Sequence, residues 1–168
     1  VSGVGAKMKA AGVTVITEEG KIDGRADGGY KVVAGGKEYT ATRLLICTGS
    51  SAVVPPIPGV RENLGDFVLT NREVLELPEV PKNFAIIGGG VIGLEMAAYY
   101  CVAGAHVTVI EMLDHIAGPT DREISTMLQK EYAKKGVDFQ LGTKVVAVEP
   151  GKVVCEKDGK TIEFAADK

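Results

Sequence analysis

The sequence has few of the residues that usually carry redox or metal chemistry. It contains two histidines, His106 and His115, and three cysteines, Cys47, Cys101 and Cys155. The cysteines lie far apart, and no C-x-x-C pair or metal-ligand spacing is present. We therefore expect no metal site. Buried structural thiols are the preferred interpretation for all three cysteines, and the set fits a reducing compartment.

The chain also lacks a charge excess and a long apolar run. Its net charge of −3 gives no electrostatic reason to bind nucleic acid or an anionic membrane. No apolar stretch approaches the roughly 20 residues that a membrane-spanning helix needs, and no signal peptide opens the chain. The chain begins in mid-pattern without a Met. We therefore expect a segment of a longer protein that is soluble and has neither nucleic acid nor membrane as a partner.

Glycine, by contrast, is abundant, and its most informative cluster lies near the middle of the chain. The sequence holds 22 glycines in 168 residues, well above the average of about 7%. Gly88, Gly90 and Gly93 have the G-x-G-x-x-G spacing. An apolar run over residues 84–87 predicts a buried parallel strand before them, and residues 91–103 predict a helix that ends at Gly104. A second strand is predicted over residues 106–110.

Each glycine of this pattern meets a separate requirement of a dinucleotide-binding turn. Gly88 lets the chain turn sharply after the strand. Gly90 has no Cβ, so a pyrophosphate can approach the backbone. Gly93 lets the helix lie close to the sheet, and the N-terminus of that helix offers N–H groups and a positive dipole end to phosphates.

An acidic residue closes the second predicted strand. Glu111 follows Gly93 by eighteen residues, close to the roughly 20 expected for an acid that binds the adenosine ribose. Its carboxylate suits a free 2′-hydroxyl and repels a 2′-phosphate, and Met112, Leu113 and Asp114 follow it without a basic residue. The sequence therefore predicts NAD(H) rather than NADP(H). The alternative is an ordinary tight turn with a solvated glutamate.

Short elements are predicted on both sides of this unit. Upstream we expect a helix tail over residues 1–12, strands over 13–16, 20–22, 30–33 and 38–42, and a buried strand over 43–47 that ends in Thr48-Gly49-Ser50. By composition this ending is either a plain turn or a turn facing a ligand. Downstream we expect a helix over 122–135 capped by Asp121, a strand over 137–141, a hairpin over 144–149 and 153–157, and a strand over 161–164.

The boundary between two units is predicted in the proline-rich part of the chain. Pro55, Pro56, Pro58 and Gly59 indicate a stiff extended crossing. A helix is predicted to begin after residue 69, with Thr70 or Asn71 as its cap, and to end at the prolines that follow.

Five stretches carry a resemblance to a known family: residues 44–50, the proline-rich crossing to Gly59, and residues 70–75, 86–95 and 120–124. As a set they resemble the pyridine-nucleotide-disulfide oxidoreductases, in particular the members that oxidise dihydrolipoamide. The resemblance implies an α/β fold: a Rossmann-like NAD-binding domain with a parallel sheet, a β-meander and helices, plus an incomplete piece of an FAD-binding domain. The implied domains are a partial FAD-binding segment (1–54), an interdomain crossing (55–82) and an NAD-binding domain (83–168).

The resemblance also implies which residues bind cofactors. NAD is expected on Gly88, Gly89, Gly90, Val91, Ile92, Gly93, Glu95, Glu111, Met112, Val145 and Val146. Within this set Glu95 corresponds to a position near the flavin–nicotinamide junction, and Val145 or Val146 to a strand end beside the NAD adenine. FAD, in the full-length enzyme, is expected on Gly20, Thr48, Gly49 and Ser50.

The chain departs from the family pattern where the catalytic groups should lie. It lacks the N-terminal FAD-binding glycine motif, the redox cysteine pair, the later Gly-Asp motif and the C-terminal His-Glu pair. We therefore expect no catalytic residue in it and no activity from it alone.

By resemblance, the complete enzyme is a cytoplasmic bacterial homodimer. It oxidises dihydrolipoyl groups of 2-oxo-acid dehydrogenase or glycine-cleavage complexes, with FAD and NAD. An NADH-linked sister disulfide reductase and a non-catalytic nucleotide-binding module remain as alternatives.

Overall fold

The computed structural model of the chain describes residues 2–26 and 28–168 and divides into two compact units, one ending at Ser50 and the other beginning at Ser51. The first unit contains α1 (Ser2–Ala10), β1 (Gly20–Ala26), β2 (Gly29–Ala34) and β3 (Lys37–Ala41). The second contains a 3₁₀ helix (Glu73–Glu76), β4 (Asn83–Ile87), α2 (Val91–Val102), β5 (His106–Ile110), α3 (Arg122–Lys134), β6 (Asp138–Gln140), β7 (Lys144–Glu149), β8 (Lys152–Lys157) and β9 (Lys160–Ala165).

The first unit confirms the predicted helix tail and meander. Helix α1 covers most of the predicted segment 1–12, of which residue 1 lies outside the described residues. Strands β1, β2 and β3 form an antiparallel sheet in sequence order.

Two predicted strands of this unit are wrong. Residues 13–16 and 43–47 belong to no sheet, and Leu45 and Ile46 of the second segment are 85% and 62% exposed. A strand needs a neighbour to take up its backbone hydrogen bonds. No strand in the described part of the chain pairs with either segment, so apolar composition alone does not make them strands.

The second unit is built on the predicted parallel sheet. Strand β4 pairs with β5, and β5 with β6, all in parallel register. Helix α2 packs on this sheet through Leu94, Ala97 and Tyr100, which are buried. The predicted α/β architecture is therefore confirmed, with the bounds of β5 as expected.

Helix α3 begins and ends where the sequence predicts. The Asp121 carboxylate accepts hydrogen bonds from the N–H groups of Glu123 (2.9 Å) and Ile124 (3.5 Å), which is the geometry of an N-cap. Gly136 follows the helix with a φ of 105°, a conformation that suits glycine after a helix C-terminus.

An antiparallel sheet of β7, β8 and β9 completes the second unit and holds the proline-rich segment. Val60 and Phe67 are buried in the same apolar cluster as Val148 and Val153 of this sheet. The Val148 N–H also donates to Pro58 O at 2.9 Å. The segment after Ser51 therefore packs as part of the second unit.

The helix predicted near Thr70 is present, but as the short 3₁₀ helix. Glu73 accepts hydrogen bonds through one carboxylate oxygen from both the backbone N–H (2.7 Å) and the hydroxyl of Thr70. These two bonds from Thr70 lower the pKa of the Glu73 carboxyl. The N-cap of the 3₁₀ helix is Arg72, which makes no side-chain cap hydrogen bond, so the predicted cap at Thr70 or Asn71 is wrong.

The cysteines differ from one another in exposure. Cys47 is exposed, Cys101 is half-buried with its Sγ 3.1 Å from Lys135 O, and Cys155 is fully buried. The expectation of buried thiols is thus wrong for Cys47, whose segment lies outside any sheet. None of the helices in residues 2–26 and 28–168 is long and apolar enough to cross a membrane.

We expect thiol labelling at pH 8 to separate these cysteines. Cys47 should react fast, because it is exposed, and Cys155 should stay unmodified, because burial blocks access and raises the pKa of its thiol to about 11. Mass spectrometry of the iodoacetamide-treated protein measures both rates. Cys47→Ser should remove the fast labelling phase and leave Cys155 unmodified. Equal labelling rates for Cys47 and Cys155 in the folded protein would contradict the structure.

Candidate functional site

The candidate site begins where β4 ends in the glycine turn. Gly88 has a φ of 102°, which side-chain-bearing residues rarely adopt, and its N–H donates to Ile110 O at 2.8 Å. Gly90 follows as the N-cap of α2, with φ −73° and ψ 175°. The chain therefore turns from strand to helix within three residues, as the pattern predicts.

Helix α2 lies directly against this turn because Gly93 has no side chain. A Cβ at this position would lie 2.4 Å from Gly88 O and 3.1 Å from Ile86 Cγ2. A Cβ on Gly90, by contrast, would meet no atom within 4 Å. Gly93 thus serves close packing, and Gly90 faces open space where a ligand can approach.

The start of α2 presents backbone donors beside that open space. The Leu94 N–H makes the first helical bond, to Gly90 O at 3.0 Å, so the N–H groups of Val91, Ile92 and Gly93 precede the helical ladder. Val91 and Ile92 are exposed. These donors and the positive end of the helix dipole are suited to bind an anionic group.

Glu111 points into the turn. Its Oε2 accepts a hydrogen bond from the Gly89 N–H at 2.8 Å, and its Oε1 accepts one from the Leu113 N–H at 2.8 Å. The residue is half-buried at the carboxyl end of β5. Carboxylate and glycine turn are therefore adjacent in the fold, although they lie 22 residues apart in sequence.

The loop after β5 packs behind the turn, a feature that the sequence did not reveal. The Ala117 N–H donates to Gly89 O at 2.7 Å, and the Ile116 side chain is fully buried. Ala117 has a φ of 64°, which is uncommon for alanine. No composition or spacing signal marks Ala117, because its role depends on a backbone group.

A charged cluster fixes the same loop to α3. The Arg122 guanidinium bonds both carboxylate oxygens of Asp114, and His115 Nδ1 lies 2.8 Å from Asp114 Oδ1. The Arg122 guanidinium, with a smaller contribution from His115, holds the pKa of the Asp114 carboxyl well below its usual range. Asp114 therefore ties the loop down as a carboxylate.

An apolar groove with a volume of about 640 Å³ borders the glycine turn. It runs past Gly88, Gly90 and the first turn of α2, and its lining includes Phe67, Ile92 and Met96. The groove lies within the second unit. The turn thus offers polar backbone donors next to an apolar recess, a combination typical of small-molecule sites.

The remaining predicted NAD residues differ in their exposure and in their place in the fold. Glu95 is exposed on α2 just after Gly93, and Met112 is exposed next to Glu111. The Thr143 N–H donates to Glu111 O at 2.9 Å, which places the start of β7 beside the acid. Val145 is buried in the adjoining apolar cluster, and Val146 is half-buried at a bulge between β7 and β8.

The predicted FAD residues lie in the first unit. Gly20 opens β1, and Thr48, Gly49 and Ser50 form an exposed stretch in which Gly49 has a φ of 75°. Their assignment to FAD stays a prediction. Among the described residues no group of three His, Cys, Asp or Glu side chains is placed to hold a metal ion.

The fold and the turn together define a Rossmann-type dinucleotide-binding protein. Residues 2–167 match the family model described as pyridine nucleotide-disulphide oxidoreductase. The chain belongs to this family, and the family supports both cofactors expected from the sequence, NAD and FAD.

Relatives and solved structures agree with this membership. The chain is 37% identical over 167 residues to a dihydrolipoyl dehydrogenase of Acholeplasma laidlawii, covering 99% of this chain and 48% of the relative. It is similar to the structure of LpdA from Mycobacterium tuberculosis, with a TM-score of 0.78, 25% identity and coverage of 99% and 37%. It is also similar to an NAD-dependent persulfide reductase from A. fulgidus, with a TM-score of 0.68, 29% identity and coverage of 95% and 31%. The chain thus spans half or less of these proteins.

Proposed function

We propose that this chain is the NAD(H)-binding portion of a flavin- and NAD-dependent disulfide oxidoreductase that oxidises dihydrolipoyl groups, converting dihydrolipoamide and NAD⁺ into lipoamide and NADH. The observation that carries the proposal is the Glu111 carboxylate held 2.8 Å from the Gly89 N–H, inside the glycine turn. The relatives named dihydrolipoyl dehydrogenase support the substrate. In this proposal residues 83–168 form the NAD domain, 55–82 a crossing, and 1–54 part of the FAD domain.

The residues of the turn fit the chemistry of the dinucleotide. The N–H groups at the start of α2 are suited to hold the pyrophosphate over Gly90, whose missing Cβ leaves the space open. Glu111 is suited to accept hydrogen bonds from the adenosine ribose, because each carboxylate oxygen has a second lone pair beyond its backbone bond. When bound, NAD supplies the hydride acceptor. The chain supplies binding and orientation, which brings the reacting groups together.

In the full-length protein, Thr48, Gly49, Ser50 and Gly20 are proposed to contact FAD. The partners are then lipoylated proteins of 2-oxo-acid dehydrogenase or glycine-cleavage complexes, met by a homodimer in the bacterial cytoplasm. These assignments rest on the family and on the relatives' names. The present chain, without a redox cysteine pair, is proposed to be inactive by itself.

Calorimetry with the 168-residue chain tests the proposed binding function. NADH should bind at least about tenfold more tightly than NADPH, because a 2′-phosphate would lie against the Glu111 carboxylate. The chain should neither oxidise NADH with lipoamide as oxidant nor reduce NAD⁺ with dihydrolipoamide as reductant. Equal affinities, or tighter binding of NADPH, would contradict the assignment of Glu111 to the ribose.

A sister reductase of the same family is the second candidate. The observation that favours it is the 29% identity to the persulfide reductase, which is NAD-dependent by its name. A full-length protein that reduces a persulfide with NADH but does not oxidise dihydrolipoamide would replace the first proposal with the second. A full-length protein that binds NADH but turns over no disulfide or thiol would identify a non-catalytic nucleotide-binding module.

A further inference from the structure

The contacts of Glu111 exceed what ribose recognition requires. Both carboxylate oxygens accept a backbone hydrogen bond, one from Gly89 and one from Leu113. Hydrogen bonds to a carboxylate are stronger than those between neutral groups. Glu111 therefore contributes to the shape of the glycine turn through bonds that involve no coenzyme.

Gly89 is held through both of its backbone groups, the N–H and the C=O, by the same segment of chain. Its N–H donates to Glu111, and its C=O accepts from the Ala117 N–H at 2.7 Å. The side chain of Ile116 closes the space next to it, since a Cβ on Gly89 would lie 3.1 Å from Ile116 Cγ2 and 3.5 Å from Glu111 Oε2. Gly89 is thus fixed in a turn where neighbouring backbone groups must remain free for a ligand.

These contacts also separate the N–H groups of the turn into two sets. The N–H groups of Gly88 and Gly89 are directed inward, to Ile110 O and to Glu111. The N–H groups of Val91, Ile92 and Gly93 precede the helical ladder and lie beside the open space over Gly90. An anion at this site would therefore be bound by the second set, while the first set keeps the turn rigid.

We infer that Glu111 is a positioning residue: it braces the glycine turn through Gly89 and Leu113 and thereby orients the N–H groups that bind the pyrophosphate. This inference rests on the proposed function, to which it adds a role that does not involve the ribose. Bracing must affect the binding of ligands that have neither a 2′- nor a 3′-hydroxyl, whereas ribose recognition alone cannot. The two roles are therefore separable by the choice of ligand.

The experiment uses the ¹⁵N-labelled 168-residue chain and the isosteric variant Glu111→Gln. A glutamine carries one acceptor and one NH₂ group, so it can satisfy only one of the two backbone donors. Amide hydrogen exchange is measured without ligand, and ADP and 2′,3′-dideoxy-ADP are then titrated by NMR. Glu123→Gln, the same charge change at an exposed residue of α3, is the matched control.

Bracing predicts three results. The Gly89 and Leu113 amides exchange slowly in the unmodified chain, at least one of them loses that protection in Glu111→Gln, and both keep it in Glu123→Gln. Glu111→Gln weakens the binding of 2′,3′-dideoxy-ADP by at least about threefold, since disordering the turn costs binding energy for any diphosphate. The preference for ADP over 2′,3′-dideoxy-ADP falls in the same variant.

Other results overturn one proposal or the other. If Glu111→Gln loses only the preference for ADP, with the protection of Gly89 and Leu113 and the affinity for 2′,3′-dideoxy-ADP unchanged, the bracing role is wrong and the proposed function stands. If the unmodified chain binds neither nucleotide nor NADH, the proposed function fails. The brace is then decided by exchange alone: it is upheld if Glu111→Gln deprotects Gly89 or Leu113 and rejected if it deprotects neither.

Discussion

Gly93→Ser is expected to destabilise the second unit by about 3 kcal/mol and to weaken NADH binding by more than about tenfold. The new Cβ would lie 2.4 Å from the backbone oxygen of Gly88. This atom belongs to the turn itself, so helix α2 must move away from it. The same displacement carries the N-terminal N–H groups of α2 away from the position proposed for the pyrophosphate. Urea unfolding and calorimetry measure the two effects.

The matched control places the same side chain at the other face of the turn. In Gly90→Ser the Cβ meets no atom within 4 Å, the backbone angles suit serine, and serine is a good N-cap. The free energy of unfolding of this variant should stay within about 0.5 kcal/mol of that of the unmodified chain. NADH binding should still fall, because the side chain enters the space predicted for the pyrophosphate. If Gly93→Ser binds NADH normally, or Gly90→Ser does so, the placement of the dinucleotide is wrong.

Gly59→Ala is expected to have the largest effect on stability, more than about 4 kcal/mol out of the 5–15 typical of a domain. A Cβ at Gly59 would lie 1.7 Å from Val148 O and 2.8 Å from the carbon that bears it. These are backbone atoms of β7, so the strand and the proline-rich segment must separate. The Val148 N–H bond to Pro58 O is then lost as well. The change in the urea midpoint of unfolding measures this loss of stability.

Gly65→Ala separates this clash from backbone strain. Gly65 has a φ of 87°, close to the 85° of Gly59, but a Cβ there would meet no atom within 4 Å. Only the left-handed conformation is then penalised, by about 1–2 kcal/mol, partly offset by about 0.4–1 kcal/mol from the stiffer unfolded chain. Similar losses for the two variants would mean that the proline-rich segment does not pack on β7.

The elements that the sequence predicted well are those whose signals are local. The strand over residues 84–87, the glycine turn and the following helix are recognised from apolar runs and glycine spacing. Asp121 and Gly136 mark the ends of α3 through bonds and angles within one helical turn. In each case the deciding interactions join residues a few positions apart, so the sequence contains them in readable form.

The predictions that failed depended on distant partners. Residues 13–16 and 43–47 have strand-like composition, yet no strand in the described part of the chain pairs with them. Cys47 was expected to be buried because it lies in the second of these apolar segments, but it is exposed. The 3₁₀ helix is short, and its N-cap is Arg72 rather than the predicted Thr70 or Asn71. The hydroxyl of Tyr100, 26 residues away, donates a hydrogen bond to Val74 O within this helix.

By itself the sequence determined a dinucleotide turn and the acid that accompanies it, because glycine spacing and apolar periodicity act over short distances. Only the tertiary structure decided how the acid is used. Its two carboxylate oxygens accept hydrogen bonds from the N–H groups of Gly89 and Leu113, and the Ala117 N–H donates to the C=O of Gly89. Each of these bonds has a backbone N–H as its donor, and a backbone group carries no residue-specific signal. The two bonds to Gly89 also span 22 residues or more between the turn and the loop. Folding must bring the two together before such bonds exist.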